Sequence, residues 1–351
     1  MIGCSRAIMR TGMVTVDFAN CGTIWVHEKR CIRYTYSKTH CRRCEDICLV
    51  DAIRFKPEAS VDRNLCFNCG LCYTACEFSA IGIQKDNRVF IETIRDADSI
   101  EIGCIFAESE IKVACLSRLS EDLLFWMFAN GKRVVLNRGF CRSCKFHDTL
   151  KYFYTELRLA VKAAKAAGVQ VNLKIQTKRA KEVYIPRQSL SRRNIFSSIR
   201  LARKAAGTVK KREIFCQSLA AVGVKNNLLY PRAATIEIGQ ECNLCGVCEH
   251  VCAADAILIK KSDEGGAIYF DPASCIGCKQ CEDSCLYGAL IVDQAPISSV
   301  LSKPRKVFEA YKRKCEACGK EFFSSDDKHL CSACRAREEG KNQFLEFLKN
   351  L

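Results

Sequence analysis

The chain has 351 residues, a formal net charge of +16 at pH 7 and 27 cysteines. This length predicts two or three domains, and the apolar content is sufficient for packed cores. The longest apolar stretch, Leu123–Ala129, is too short to span a bilayer, and residues 1–20 lack the apolar segment of a signal peptide. We therefore expect a cytoplasmic protein without a membrane span, in which the cysteines stay reduced.

A repeated cysteine motif dominates both ends of the chain. The pattern is Cys-x2-Cys-x2-Cys-x3-Cys, followed by a small residue and an Ala-Ile or Ala-Leu pair. Complete copies begin at Cys66, Cys242 and Cys275. A partial copy, Cys41 to Cys48, has Lys38 where the first cysteine is expected. Cysteines two residues apart lie on one tight loop and reach three corners of one iron–sulfur cube, whereas the fourth points the other way.

On these residues, 41–76 and 242–285 both resemble the bacterial ferredoxins that hold two [4Fe–4S] clusters, in which the fourth cysteine of each motif ligates the other cluster. The resemblance implies four [4Fe–4S] clusters in this chain. The first C-terminal set is Cys242, Cys245, Cys248 and Cys285. The second C-terminal set is Cys275, Cys278, Cys281 and Cys252. The second N-terminal set is Cys66, Cys69, Cys72 and Cys48.

The remaining cluster has an incomplete set of ligands. Its own motif supplies Cys41, Cys44 and Cys76, and we name these, together with Cys31, the first N-terminal set. Three interpretations are open: Cys31 is the missing ligand, Cys21 is the missing ligand, or the site holds a [3Fe–4S] cluster. Residues 23–36 are predicted to form a strand that leads into the motif, so we favour Cys31.

Strand and helix patterns alternate in the middle of the chain. Strands are predicted at 99–102, 111–115, 133–137 and 169–175, and helices at 119–130 and 148–167. This order favours a parallel sheet, in which sites form beyond the carboxyl ends of the strands. Four cysteines follow or end these strands and are expected at one edge of the sheet. We name them the sheet-edge set: Cys104, Cys115, Cys141 and Cys144.

Residues 102–150 resemble the iron–sulfur subunit of methyl-viologen-reducing hydrogenase, which links that enzyme to heterodisulfide reductase. The resemblance rests on Cys104, Val113-Ala114-Cys115, the Gly131 turn and Cys141-x2-Cys144. It implies a [2Fe–2S] cluster on the sheet-edge set. A zinc site and a free redox dithiol remain alternatives.

The last two regions differ in composition. Residues 176–235 are rich in Lys and Arg, with helices predicted at 189–206 and 212–222. The cations of 178–212 form either a solvated face or a docking patch for an acidic redox partner. The tail has two Cys-x2-Cys pairs separated by twelve residues, a spacing that favours a zinc ribbon over rubredoxin-type iron. We name its cysteines the tail set: Cys315, Cys318, Cys331 and Cys334. A helix is predicted at 335–350.

The predicted fold class is α+β and multidomain, with two ferredoxin-like 2[4Fe–4S] modules, a central parallel α/β domain and a small zinc ribbon. The expected order of domains follows from these patterns. It is an N-terminal ferredoxin-like domain at 1–95, the α/β domain at 96–176, a basic helical linker at 177–235, the second ferredoxin domain at 236–300, and the zinc ribbon with its terminal helix at 301–351.

No nucleotide-binding or catalytic motif was found in the sequence, so no catalytic residue is expected. The leading hypothesis is an electron-transfer subunit of a larger anaerobic oxidoreductase complex, whose partners are hydrogenase, heterodisulfide-reductase-like or flavoprotein subunits. The alternative is a redox-sensing regulator that binds nucleic acid through its basic face and zinc ribbon. Each filled site carries about −2, so six sites lower the formal charge to about +4, and nucleic acid is not expected as a partner.

Overall fold

The computed structural model describes residues 16–22, 24–36, 39, 41–55, 59–144, 146–181 and 210–349. The predicted helix at 189–206, most of the basic region, Lys38 and Cys4 lie outside these residues. The chain divides into two compact units. One comprises Met1–Tyr230 with Pro296–Leu301, and the other comprises Pro231–Ala295 with Ser302–Leu351.

Short elements form the cysteine-rich start of the first unit. Its strands are β1 (Val16–Phe18), β2 (Ile24–Val26), β3 (Ile53–Phe55), β4 (Ala59–Val61) and β5 (Ile81–Ile83). Its helices are α1 (Ile32–Thr35), α2 (Arg43–Asp46), α3 (Leu71–Ala75) and α4 (Asn87–Ile94). β3 and β4 form an antiparallel hairpin, and β2 pairs antiparallel with β5. Trp25 lies opposite Gly82, where a Cβ atom would be 2.2 Å from the indole, so the ring fits only over glycine.

The expected strand over 23–36 is wrong in its second half. β2 is extended, but the chain then turns, and Ile32–Thr35 form α1 instead. The turn is closed by the backbone N–H of Cys31, which donates to the carbonyl oxygens of His27 and Glu28. The helix buries Ile32 and lets Arg33 reach Glu45 at 3.0 Å.

The parallel sheet predicted for the middle of the chain is confirmed. It contains β6 (Ser99–Cys104), β7 (Ile111–Val113), β8 (Arg133–Asn137) and β9 (Leu173–Gln176), with helices α5 (Glu121–Ala129) and α6 (Leu150–Ala167). The strand order is β1-β7-β6-β8-β9, and every pair is parallel. β1 also joins the edge of this sheet, although the strands predicted for it began only at residue 99.

An apolar core joins the helices of the first unit. α5 is apolar around most of its circumference and contacts both α6 and α7 (Lys211–Val222), which is the predicted helix at 212–222. Phe215 of α7 packs between the rings of Phe125 and Tyr230, with centroid distances of 5.1 and 5.5 Å. Burial of large aromatic side chains contributes much of the stability of such a core.

The second unit is built on antiparallel pairs. β10 (Leu229–Ile238) pairs with β13 (Leu290–Pro296), and a second sheet has the order β11 (Ile257–Lys261), β12 (Gly265–Phe270), β14 (Arg305–Lys314), β15 (Glu321–Ser324). Its helices are α8 (Val247–His250), α9 (Gln280–Asp283) and α10 (Ser332–Lys349). Because β14 pairs with β12, the tail shares a sheet with the ferredoxin-like part. None of the helices in the described part of the chain has the length and apolar character needed to cross a membrane.

Candidate iron–sulfur and metal centres

In the second unit, the fourth cysteine of each motif lies with the other motif's first three. Burial raises the pKa of Cys248 to about 12, and the thiols of Cys242, Cys245 and Cys285 add to the rise. Burial likewise raises the pKa of Cys281, with contributions from Cys252, Cys275, Cys278 and Cys248. These neighbours are the members of the first and second C-terminal sets, so the structure brings both sets together in the crossed arrangement.

A cavity lies among the cysteines of the first C-terminal set. All four of them line it, together with apolar side chains that include Leu244, Ile268 and Leu290. Leu244 and Ile268 are almost completely buried. A space enclosed by four thiols and otherwise apolar walls fits an iron–sulfur cluster, whose potential depends on exclusion of solvent.

The fourth cysteine of all four motifs has the same local structure. Its sulfur accepts a hydrogen bond at 3.2–3.3 Å from the backbone N–H four residues later, and the residue just before that donor has a positive φ of 51–57°. The donors are Ala52, Ala80, Ala256 and Ala289, and the residues before them are Asp51, Ser79, Asp255 and Gly288. This explains the small residue and alanine that follow each motif. Hydrogen bonds to sulfur are among the features that set cluster potentials.

A glutamate three residues before the fourth cysteine is a further shared feature. In three motifs its carboxylate accepts a hydrogen bond from a backbone N–H ten residues later, at 2.9–3.3 Å. These residues are Glu45, Glu249 and Glu282. The second N-terminal motif has Tyr73 at this position, and its hydroxyl accepts from Asn87. Sequence reasoning missed this feature, although the common position of the three glutamates would have revealed it.

The partial N-terminal motif differs from the complete ones in its loop. The residue after the second cysteine has positive φ in the complete motifs, at Gly70, Gly246 and Lys279. The corresponding residue, Arg42, has φ −127°. The loop therefore follows another path where the first cysteine is replaced by lysine.

Cys31 lies where the partial motif lacks a ligand. Burial raises the pKa of Cys44 to about 12, and the thiols of Cys76, Cys31 and Cys41 add to the rise. Burial also raises the pKa of Cys31, with contributions from Cys76 and Cys41. The four members of the first N-terminal set are therefore neighbours.

Cys21 lies beside the second N-terminal set instead. Burial raises the pKa of Cys69, with contributions from Cys21, Cys66 and Cys48, and Cys21 and Cys69 also raise the pKa of Cys72. The side chain of Cys21 is only 1% exposed. Cys21 is therefore a fifth cysteine beside the second N-terminal set, and the structure does not bring it to the first N-terminal set.

The sheet-edge set gathers at the carboxyl ends of the parallel strands. The Sγ atoms of Cys104 and Cys141 lie 3.8 and 2.7 Å from the carbonyl oxygen of Arg138, the residue that follows β8. The pKa of Cys141 is raised by its contact with Cys104, by burial and by the neighbouring thiols of Cys115 and Cys144. The chain passes from β6 to β7 on one side and from β8 to β9 on the other side, although β6 and β8 are neighbours in the sheet. Open parallel sheets bind ligands at the place where neighbouring strands connect in opposite directions.

The tail set is more compact than the others. All four of its Sγ atoms lie within 4.8 Å of one another, and no other group of potential ligands in the described ranges is this close. Cys318 and Cys331 are 3.9 Å apart, and a tetrahedron with Zn–S bonds of about 2.3 Å has an edge of ~3.8 Å. The tail set therefore fits a single tetrahedral ion.

Contacts with the loop before the first C-terminal motif hold the tail in place. Glu241 forms ion pairs with Lys328 and Arg335, and both cations lower the pKa of its carboxyl. Cys216 lies partly buried on α7, away from every set in sequence. We assign it no role, because single buried cysteines are often core residues.

Fold, motif geometry and donor chemistry define a class of protein in the second unit: an iron–sulfur protein of the ferredoxin type. Residues 241–289 match the family described as the 4Fe-4S dicluster domain. A stretch of 94 residues is 33% identical to an uncharacterized ferredoxin of Methanocaldococcus jannaschii. That similarity covers 26% of this chain and spans about 60% of the length of the ferredoxin. The chain therefore contains a ferredoxin-like iron–sulfur domain.

Proposed function

We propose that the chain is a multi-cluster electron-transfer protein that works as a subunit of a larger redox complex. The observation that carries this proposal is the cavity lined by the four thiols of the first C-terminal set, in which Cys285 of one motif joins three cysteines of the other. [4Fe–4S] clusters supply reversible one-electron chemistry at potentials set by their surroundings. The described residues include no arrangement that we assign to conversion of a substrate.

The protein's part in electron transfer is to bind the clusters, exclude water and adjust their charge. Thiolates hold the irons, and apolar residues such as Leu244 and Ile268 keep water out. The N–H groups of the four alanines stabilise negative charge on the fourth sulfur of each motif. Such donors favour the reduced state of a cluster, because reduction adds negative charge.

We propose four [4Fe–4S] clusters, one for each N-terminal and C-terminal set. For the first N-terminal set we propose Cys31 as the fourth ligand, because its thiol is a neighbour of Cys41, Cys44 and Cys76. The turn after Cys76 and its N–H···S hydrogen bond, which belong to this set, also support a cluster there. Cys21 is not proposed as a ligand of this set.

For the sheet-edge set we propose a [2Fe–2S] cluster, and for the tail set a zinc ion. The first rests on the resemblance of residues 102–150 to a hydrogenase-linked iron–sulfur subunit and on the convergence of four thiols at the sheet edge. The second rests on the compact tetrahedral spacing. Zinc has no redox role, so the tail set is structural or contributes to partner binding.

The proposed partners are donor and acceptor proteins of the hydrogenase, heterodisulfide-reductase or flavoprotein type. A site at the edge of a parallel sheet is open to an approaching partner, and the exposed Arg142 and Arg179 beside it favour an acidic one. No described feature favours the nucleic-acid alternative.

Metal analysis of the anaerobically reconstituted chain tests the proposal. With every site filled, we expect about eighteen irons and about one zinc per chain, with matching sulfide for four cubanes and one [2Fe–2S] cluster. EPR of the reduced protein should show both cluster types. Fewer than about twelve irons after careful reconstitution would contradict the scheme, because at least two clusters would then be absent.

A further inference from the structure

We propose that the buried guanidinium of Arg118 raises the reduction potential of the cluster held by the second N-terminal set. This inference rests on the proposed function and adds a residue that tunes one cluster among four. Arg118 lies outside the ferredoxin-like motifs, in the turn Leu116–Arg118 that follows β7. Nothing in its sequence context marks it, and its position is a property of the fold.

Among the described residues, Arg118 is a buried cation that forms no ion pair with a carboxylate. Its side chain has 0% exposure, and its Nη1 and Nη2 groups donate to Asn87 Oδ1 at 2.9 Å and to the carbonyl oxygen of Lys85 at 3.0 Å. Within the described part of the chain, Arg118 takes part in no ion pair, and its Nε has no acceptor. Burial of an uncompensated charge is costly, so a negative group close by is expected.

The side chain lies against the cluster-binding loop. A Cβ atom at Gly70 would be 2.8 Å from Nε of Arg118 and 3.5 Å from Cβ of Cys21. Gly70 is the residue between Cys69 and Leu71, inside the second N-terminal motif. The guanidinium also lies 4.8 Å from the ring centre of Tyr73. Arg118 therefore packs against one side of this loop. Burial raises the pKa of Cys21, and the positive charge of Arg118 partly offsets that rise.

The surrounding charges leave a positive excess. Lys211 is also buried, and its Nζ donates to the carbonyl oxygens of Tyr73 and Thr74 at 3.0 and 2.7 Å. The buried carboxyl of Asp122 contacts Arg118 only through Asn87, which donates to it at 2.7 Å. Asp86 is mostly occupied in capping α4, where it accepts from two backbone N–H groups. Arg118, Lys211 and Lys85 are therefore the cations near the loop in the described residues, and the buried carboxyls of Asp122 and Asp86 are the acidic groups beside them.

A cluster with four thiolates carries about −2 and becomes more negative on reduction. A fixed cation in a low-dielectric site stabilises the reduced form more than the oxidised form. Arg118 should therefore raise the potential of this cluster.

The equivalent position in the second unit has no such cation. Gly246 corresponds to Gly70, and a Cβ atom there would meet nothing within 4 Å. Lys279, at the same position in the third complete motif, is 57% exposed and pairs with Glu282. Charge tuning from a buried arginine is therefore specific to the second N-terminal set among the three complete motifs.

The test is an EPR-monitored redox titration of the fully loaded chain with Arg118→Gln, Arg118→Lys and the exposed control Arg88→Gln. The affected centre is identified as the one whose signal is altered by Cys66→Ser. Arg118→Gln should lower the reduced-to-oxidised ratio of that centre at least tenfold at a fixed potential, which is about 59 mV for one electron. Arg118→Lys, which keeps the charge, should change it by less than about threefold, and Arg88→Gln should leave it unchanged.

The proposal is overturned if Arg118→Gln loads as much iron as the parent and every midpoint stays unchanged. If Arg118→Gln does not fold, Arg118→Met gives the reading, because it removes the same charge and should shift the same centre downwards. An unchanged midpoint in the variant that folds overturns the proposal. If the parent itself binds no [4Fe–4S] cluster, the proposed function fails, which is a distinguishable result.

Discussion

Replacement of Cys31 by serine distinguishes the interpretations of the incomplete cluster. Cys31 and Cys21 are both buried, at 9% and 1% exposure, and lie ten residues apart in the chain. The structure places Cys31 with the first N-terminal set and Cys21 with the second. Cys21→Ser is therefore a matched control, since it makes the same chemical change beside a cluster that has four other cysteines.

The expected change in iron content follows from the number of irons that each cluster holds. If Cys31 is the fourth ligand and the cluster is lost, Cys31→Ser should lower the iron content from about eighteen to about fourteen per chain. If the cluster survives by losing one iron, the content should be about seventeen, with the signal of a three-iron cluster. Cys21→Ser should keep about eighteen, because the second N-terminal set stays complete.

Stability alone does not separate the two variants. A buried serine hydroxyl without a good partner costs about 1–3 kcal/mol, and both variants carry this cost. The thiol of Cys21 donates a long hydrogen bond to the carbonyl oxygen of Gly22, at 3.8 Å, which is a weak interaction to lose. Thermal unfolding of the two variants should therefore be similar once the loss of the cluster in Cys31→Ser is taken into account.

The assay is iron and sulfide per chain, with EPR of the dithionite-reduced protein. Loss of iron in Cys21→Ser with full loading of Cys31→Ser would reverse our assignment. A parent protein with about seventeen irons and a three-iron signal, unchanged in Cys31→Ser, would favour the [3Fe–4S] interpretation instead.

Three further predictions concern other parts of the chain. Cys331→Ser should remove the zinc without loss of iron, and Ser332→Ala should retain it, as metal analysis will show. Phe215→Ala should destabilise the first unit by about 3–5 kcal/mol in denaturant unfolding, whereas the exposed control Gln217→Ala should change stability by less than about 0.5 kcal/mol. Burial lowers the pKa of His27 in the folded protein below its usual 6.5. As the pH falls below about 6.5, the unfolded chain therefore binds a proton at this histidine more readily than the folded protein does, and the free energy of unfolding should fall. His27→Gln should lose this pH dependence, which thermal unfolding at pH 7.5 and 5.5 measures; an unchanged dependence contradicts it.

The sequence by itself determined the local chemistry of the cysteines. Spacing within each motif predicts which three sulfurs share a loop, and the crossed arrangement in the second unit agrees with the ferredoxin resemblance. The alternation of strands and helices predicted the parallel sheet, because hydrophobic periodicity is a local property of the chain. β9 begins at Leu173 rather than at residue 169, because hydrophobic periodicity does not fix the exact boundary of a strand.

Only the tertiary structure decided which residue from outside a motif reaches it. The sequence favours Cys31 but leaves Cys21 open, whereas the turn after β2 and the helix α1 bring Cys31 to the first N-terminal set. The pairing of β1 with β7 places the chain just before Cys21 on the parallel sheet, near the other motif. Arg118, from the turn after β7, becomes the buried neighbour of Gly70 in the same way. Contacts between residues far apart in sequence depend on how whole elements pack, and no spacing along the chain encodes them.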